Sequence, residues 1–157
     1  MMNTWFECRI RYEKVMADGM SKKVTEPYLV DALSFTEAEA RIIEQMAPYI
    51  SGEFTVRDIK RASYSEVFYT DEVLADKWYK GRLGFVTLDE KAGKEKITYT
   101  NVLVQACDFR DAVKKLDIGM KGSMADYVII LMQETAIMDV YEYDPTEDPN
   151  QDESIKK

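Results

Sequence analysis

Two tryptophans and four cations are the residues of this sequence whose types and spacing could do chemistry. They are Trp5, Arg9, Arg11, Trp78, Lys80 and Arg82. Within each group of three, the positions have the same parity, so the side chains share one face of a β-strand. Flat rings beside cations on a sheet form a stacking platform for single-stranded nucleic acid, because every base has a π face and the cations meet the phosphates. These six residues are therefore the candidate nucleic-acid-binding site.

The two tryptophans also have a structural interpretation. They begin their strands, and rings at such positions also cover the second face of a sheet or a dimer interface, where Trp and Arg are enriched. The net charge of −8 argues against tight nonspecific binding to duplex DNA, because that affinity comes from neutralising phosphates. Exposure of the two indoles decides between the platform and the covered face.

Catalytic and metal sites lack most of their usual residues in this chain. The sequence has no histidine, which excludes Ser-His-Asp and Cys-His nucleophilic sites and histidine-containing zinc sites. Its two cysteines, Cys8 and Cys107, do not have the spacing of a metal site and are predicted to be buried free thiols. Acidic pairs such as Asp89/Glu90 could bind a hard cation, but solvated loops account for them. We therefore predict no enzyme activity, metal or cofactor, and an enzyme that works without histidine is the remaining alternative.

The elements that must position these residues occur twice. Residues 5–12 return as residues 78–85 at an offset of 73, and residues 28–38 return as residues 102–112 at an offset of 74. Such a recurrence indicates a duplicated supersecondary unit. We predict a single domain, residues 1–143, made of repeat one at about residues 4–70 and repeat two at about residues 77–143.

Period-two alternation predicts the strands of each repeat. In the first strand, Phe6, Cys8 and Ile10 form the core face and the tryptophan lies on the opposite face. Residues 53–69 are rich in β-formers and predict one long bent strand or two short ones. Residues 126–143 predict the closing strands of the second repeat.

A capped amphipathic stretch predicts one helix in each repeat. Ser34 followed by Glu37 is the pattern of a capping box, and the helix after it should end near Pro48. Asp108 is the predicted cap of the second helix, which should end at Gly119 and Gly122.

Each repeat is thus a β-β-α-β unit. A hairpin with one helix cannot cover its own apolar face, so two copies are expected to pack about a pseudo-twofold axis and share a core. We predict an α+β fold with a mainly antiparallel sheet of about six to eight strands and two helices. Residues 142–157 contain six acids and two bases, and their one aliphatic side chain is Ile155. This composition predicts a disordered acidic tail at residues 144–157.

No apolar run approaches the roughly 18 residues of a membrane span, and the N-terminus lacks the pattern of a signal peptide. We therefore expect a cytoplasmic location and no membrane partner.

Three stretches resemble a known family. They are WFECR at residues 5–9, TEPYLVDALSFTEAEA at residues 25–40 and DAVKKL at residues 111–116. They are similar to a family of small uncharacterised proteins found in gut bacteria of the Bacteroidetes type and in their phages, and the resemblance extends to about residue 143. The family is a domain of unknown function, so it implies no catalytic or binding residue. It does imply an intracellular protein of bacterial or phage origin.

These patterns together predict a noncatalytic binding module. Single-stranded nucleic acid, bound through the face that carries the tryptophans, is the first candidate partner. The alternative is a protein-interaction or homo-oligomerisation module, for example a phage factor that acts on a host protein.

Overall fold

The computed structural model describes residues 4–123 and 126–143, and within them it contains eight strands and two helices in two four-stranded mixed sheets. The predicted α+β class and the presence of two helices are confirmed. In chain order the elements are β1 (Trp5–Val15), β2 (Ser21–Asp31), α1 (Phe35–Met46), β3 (Phe54–Ala62), β4 (Glu66–Phe68), β5 (Lys77–Asp89), β6 (Lys94–Ala106), α2 (Phe109–Gly119), β7 (Tyr127–Glu134) and β8 (Val140–Tyr141).

The chain divides into two compact units. Residues 62–138 form the central unit, and residues 4–61 together with residues 139–143 form the N-terminal unit. The N-terminal unit is thus built from two separate segments of the chain. The predicted acidic tail, residues 144–157, lies outside the described residues.

The sheet of the N-terminal unit has the order β3-β1-β2-β8. β1 and β2 form an antiparallel hairpin whose turn contains Gly19 at φ 83°, a backbone conformation that favours glycine. β8 pairs parallel to β2, with Val140 opposite Leu29. The predicted core face is confirmed, because α1 packs on it and the following side chains are buried together: Phe6, Cys8, Ile10, Tyr28, Val30, Ala32, Ala38, Ile42 and Met46.

The sheet of the central unit has the order β4-β6-β5-β7. β5 is antiparallel to both β6 and β7, whereas β4 runs parallel to β6. Leu83, Val102, Val104 and Leu116 are buried together beneath α2. One face of this sheet is therefore covered by the helix of its own unit.

Two sheets form instead of the single sheet predicted, and each is mixed, with one short parallel pair beside its antiparallel pairs. Residues 53–69 make two strands, and these belong to different sheets: β3 lies beside β1, and β4 lies beside β6. Alternation along a segment identifies a strand but does not determine which strand it pairs with. This is why the sequence predicted the number of strands better than their grouping.

Both helices begin and end where the sequence predicts. The Ser34 hydroxyl accepts a hydrogen bond from the Glu37 amide at 3.1 Å, and the Asp108 carboxylate accepts one from the Asp111 amide at 2.8 Å. α1 ends at Met46 and α2 ends at Gly119. In α1, the Glu37 carboxylate forms an ion pair with Arg41 one turn later.

Two glycines let α2 approach the strands of its unit closely. A Cβ atom on Gly81 would lie 2.9 Å from Leu116 Cδ1, and one on Gly119 would lie 2.6 Å from Phe68 Cδ1. Carbon atoms in favourable contact are about 3.5–4.0 Å apart. Both positions therefore lack room for a side chain.

Candidate binding surface

The structure buries both tryptophans of the predicted platform. Trp5 is 3% exposed and Trp78 is 2% exposed, so the structure favours the covered face over the stacking platform for both indoles. Their neighbours Phe6 and Tyr79, which point to the opposite face, are also buried. The start of each strand is therefore covered on both faces, as in strands that carry a continuous apolar run.

The surroundings of Trp78 are those of a core residue. Its ring meets the Tyr69 ring edge-on, with centroids 5.8 Å apart. The Thr135 hydroxyl donates to the Trp78 carbonyl at 2.8 Å. In the N-terminal unit, Leu29 of β2 lies on the same face of the sheet as Trp5 and is fully buried. Neither indole can stack on a nucleobase in this structure.

Arg9 is held by a carboxylate that the sequence analysis did not single out. Its Nε donates to Asp58 Oδ1 at 2.8 Å and to Oδ2 at 2.9 Å, and its Nη2 donates to Oδ2 as well. The hydrogen bond from Arg9 is the main reason why the pKa of Asp58 lies below its ordinary value. Because the two charges neutralise each other, Arg9 is a poor anchor for a phosphate.

Arg11 is exposed and borders an open cavity of about 540 Å³. Lys23 also lines this cavity, but so do the carboxylates of Glu13 and Glu53, so the lining has no excess of positive charge. The cavity therefore lacks the charge that a phosphate backbone requires.

A carboxylate with two tyrosines lies close to this cavity. Tyr12, which lines the cavity, donates to Glu26 Oε1 at 2.6 Å, and Lys14 Nζ lies 3.3 Å from Glu26 Oε2. Tyr28 also donates to Oε1, at 3.4 Å. Burial, followed by the hydrogen bond to Glu26, raises the pKa of Tyr12 to about 12. The phenol stays protonated at neutral pH, and its hydrogen bond to Glu26 links β1 to β2.

The two cations of β5 differ in their surroundings. Lys80 is half-buried, whereas Arg82 is exposed and places its guanidinium carbon 4.7 Å from the centroid of the Tyr99 ring. A cation at this distance from the ring is attracted by its negative face. Tyr99 is 51% exposed. Of the six predicted site residues, Arg82 thus forms an exposed cation–ring pair. The ring belongs to Tyr99, which the sequence analysis did not name.

Seven large apolar side chains lie exposed on the same face of the central sheet as Arg82. We call this surface the apolar face; its members are Val86, Leu88, Ile97, Tyr99, Val128, Ile130 and Leu131, each between 37% and 67% exposed. The register places Gly84 opposite both Tyr99 and Val128, and Val86 opposite Ile97. Partners across an antiparallel pair point to the same side. The apolar face is therefore the side of the sheet opposite α2.

Gly84 makes this face continuous. A Cβ atom built there would lie 3.2 Å from Ile130, 3.3 Å from Ile97 and 3.4 Å from Val128, in each case measured to a terminal methyl group. Side chains from β6 and β7 therefore converge over the central strand. The exposed residues form one patch instead of scattered positions.

A bulge in β7 adds to the patch. Arg82 pairs with Leu131 and Leu83 pairs with Ile129, so Ile130 is an extra residue between them. Ile130 is 51% exposed and Leu131 is 44% exposed, whereas Ile129 packs under α2. The bulge changes the direction of the side chains beside it, so that two neighbouring residues, Ile130 and Leu131, are both exposed. The sequence analysis predicted a closing strand here but had no signal for the extra residue.

Charges mark the two ends of the apolar face. Lys80 and Arg82 lie at one end, where β5 enters the sheet. Glu95, which pairs with Leu88 and so belongs to the same face, lies at the other end of the hairpin and is exposed. The face is thus apolar in its middle. The end with the two cations is called the basic end, and the end with the one carboxylate, Glu95, which lies between Lys94 and Lys96 in the sequence, is called the acidic end.

No group of three or more potential metal ligands occurs among residues 4–123 and 126–143. In the same part of the chain, no helix is long and apolar enough to cross a membrane.

Comparison with known families gives one match. The model of a domain of unknown function, DUF4494, matches residues 4–143. The chain belongs to this family. No curated protein and no solved structure matches the chain. Family membership thus identifies the kind of domain without assigning a ligand or a residue role.

Proposed function

We propose that this chain is a noncatalytic protein-binding module and that the apolar face of the central unit is its contact surface. The observation that supports the proposal is the exposure of seven large apolar side chains on one side of one sheet. An aromatic side chain has on the order of 150–250 Å² of surface, and each of the six aliphatic side chains of the face has somewhat less. Their exposed fractions therefore amount to on the order of 600 Å², at the upper end of the largest apolar patch on an ordinary monomer.

Leaving such a patch in water is unfavourable. At about 25 cal/mol per Å², covering it would contribute on the order of 15 kcal/mol before the costs of association are subtracted. The composition also fits a protein interface, where an apolar middle with aromatic and arginine side chains is surrounded by a polar rim. Tyr99 supplies the aromatic side chain, and Arg82 and Glu95 lie on the rim.

Single-stranded nucleic acid is the second candidate partner, and one observation favours it. The Arg82–Tyr99 pair offers an exposed ring beside a cation, which is the minimal unit of a stacking site. The support is weaker than for a protein, because Trp5 and Trp78 are buried and Arg9 is paired with Asp58.

Site-specific photo-crosslinking tests the proposal. A photoreactive phenylalanine analogue replaces Tyr99 in the full chain, which is expressed in its native cells and irradiated. The matched control replaces Tyr49, which is 76% exposed, lies in the N-terminal unit and is not part of the apolar face. We expect the Tyr99 probe to give a defined protein adduct that the Tyr49 probe does not give.

Two other results would change the conclusion. An adduct that nuclease removes would favour the second candidate, nucleic acid. Equal, diffuse labelling from both positions would mean that the apolar face has no partner and would refute the proposal.

We also propose that repeat one and repeat two are copies of one ancestral β-β-α-β unit. Leu29 pairs with Val140, and Leu103 pairs with Val67. Leu29 and Leu103 are 74 positions apart, and Val67 and Val140 are 73 positions apart, which are the offsets of the sequence repeat. This agreement in register supports duplication. The pseudo-twofold relation, the bacterial or phage origin and the cytoplasmic location stay predictions.

A further inference from the structure

We propose that the partner of the apolar face is a second copy of this chain, packed face to face so that the basic end of each copy meets the acidic end of the other. This inference rests on the proposed function, because it names the occupant of the same surface. Three features of the face carry it: its size, its order of charges and the uncharged side chains between its two ends.

The size of the face matches what a dimer needs. A stable interface of standard size buries about 800 Å² on each partner. The apolar side chains supply on the order of 600 Å² of this, and the polar side chains that border them on the same face, Lys80, Arg82, Glu95 and Asn101, supply the rest. Two sheets packed face to face bury their facing side chains in a layer about 10 Å thick, which large aliphatic side chains fill well.

The order of charges makes the face complementary to itself. Consider a two-fold axis that lies in the interface at right angles to the strands. Rotation about this axis reverses the strand direction and brings Arg82 of one copy to Glu95 of the other. By symmetry, the same contact forms a second time on the other side of the axis. Within one copy, Arg82 and Leu88 are six positions apart on β5, and Leu88 pairs with Glu95. At about 3.4 Å per residue, the two charges of one copy lie roughly 20 Å apart and cannot pair with each other.

The middle of the face contains no charge that would oppose this packing. The side chains between the two ends, including Val86, Ile97, Tyr99 and Val128, are uncharged. The net charge of −8 repels two copies at long range, but salt screens it beyond a Debye length of about 10 Å at 0.1 M. Apolar contact across the middle therefore meets no like-charge pair, and the two ends contribute attraction.

Charge reversal at the two ends tests the arrangement. Sedimentation equilibrium of the full chain is expected to give twice the chain mass at micromolar concentrations. Arg82→Glu places acid against Glu95 at both ends, and Glu95→Arg places base against Arg82. Each single variant is expected to raise the dissociation constant about tenfold or more, because like charges at an interface are strongly unfavourable. Arg110→Glu is the matched control, since Arg110 is exposed on α2, away from the apolar face, and should leave the dimer unchanged.

The decisive measurement mixes the two single variants. An Arg82→Glu copy and a Glu95→Arg copy restore opposite charges at both ends, so the equimolar mixture is expected to form a heterodimer with close to the wild-type dissociation constant. The double variant Arg82→Glu/Glu95→Arg should likewise form its own dimer. Rescue in both experiments would support contact between two chains in this orientation, because no effect within one chain restores association on mixing.

Two results would overturn the inference. The first is a wild-type chain that keeps the mass of one copy up to about 0.1–1 mM, because the dissociation constant of any dimer would then lie above this concentration. The second is a dimer that the single variants weaken but the mixture does not restore. If the chain is monomeric while the Tyr99 probe crosslinks a different protein, this inference fails and the proposed function stands. If the chain is monomeric and no adduct forms, both fail.

Discussion

Replacing Gly119 by alanine is expected to destabilise the central unit, although alanine is the better helix former. The φ of Gly119 is not positive, so its backbone accepts alanine without strain, and the change should gain up to about 1 kcal/mol of helix propensity. Against this, the new Cβ would lie 2.6 Å from Phe68 Cδ1 and 2.7 Å from Cε1. Overpacking of this kind costs about 1–3 kcal/mol. We therefore expect a net loss of about 1–2 kcal/mol in the free energy of unfolding.

Urea unfolding followed by circular dichroism measures this loss, and hydrogen exchange of the β6 amides localises it to the central unit. The control is the same substitution in a Phe68→Ala background. Without the ring, the clash is absent and only the helix propensity remains, so Gly119→Ala should stabilise that background slightly. A change of sign between the two backgrounds is the expected signature. The close approach of α2 to β4 would not be the cause if the substitution had the same effect in both.

Two further predictions follow from burial and charge. Trp5→Ala and Trp78→Ala should each cost about 3–5 kcal/mol of stability, since both rings are buried, and a melting temperature close to wild type would contradict this. Asp111 has its pKa lowered from 3.8 to about 2, mainly by its hydrogen bond from Lys115 and then by the Cys107 amide. Because the folded pKa is the lower one, the stability that this carboxylate adds is present above about pH 4 and lost as the pH falls toward 2. Urea unfolding at several pH values should therefore show a smaller acid loss for Asp111→Asn than for wild type; equal losses would mean that Asp111 does not contribute.

The sequence predicted local structure well, because the signals for it are local. The Ser34 and Asp108 caps lie within three residues of the amides that they accept from, so a single turn of helix contains the whole motif. The core face of β1 likewise follows from alternation along one strand. These features required no knowledge of the rest of the chain.

The candidate site was predicted less well, because exposure and pairing depend on distant residues. The parity argument correctly placed Trp5 opposite Phe6, but it could not tell what covers the second face. The adjacent aromatic residues at 5–6 and 78–79 were the available signal, since strands buried on both faces lack strict alternation. The partner of Arg9, Asp58, is 49 positions away. The apolar face likewise depends on the register of three strands and on a bulge.

The short strand β8 has a consequence for folding during synthesis. The described residues of the central unit lie between residues 62 and 138, so its sheet can be complete as soon as residue 138 has left the ribosome. The N-terminal unit emerges first but needs Val140 to pair with Leu29, which is made 111 positions earlier. At about 5–20 residues per second, the edge of β2 stays open for on the order of ten seconds. The part of the protein that is translated first is therefore the last to be finished, and its nascent β2 edge is the place where a chaperone would have most to protect.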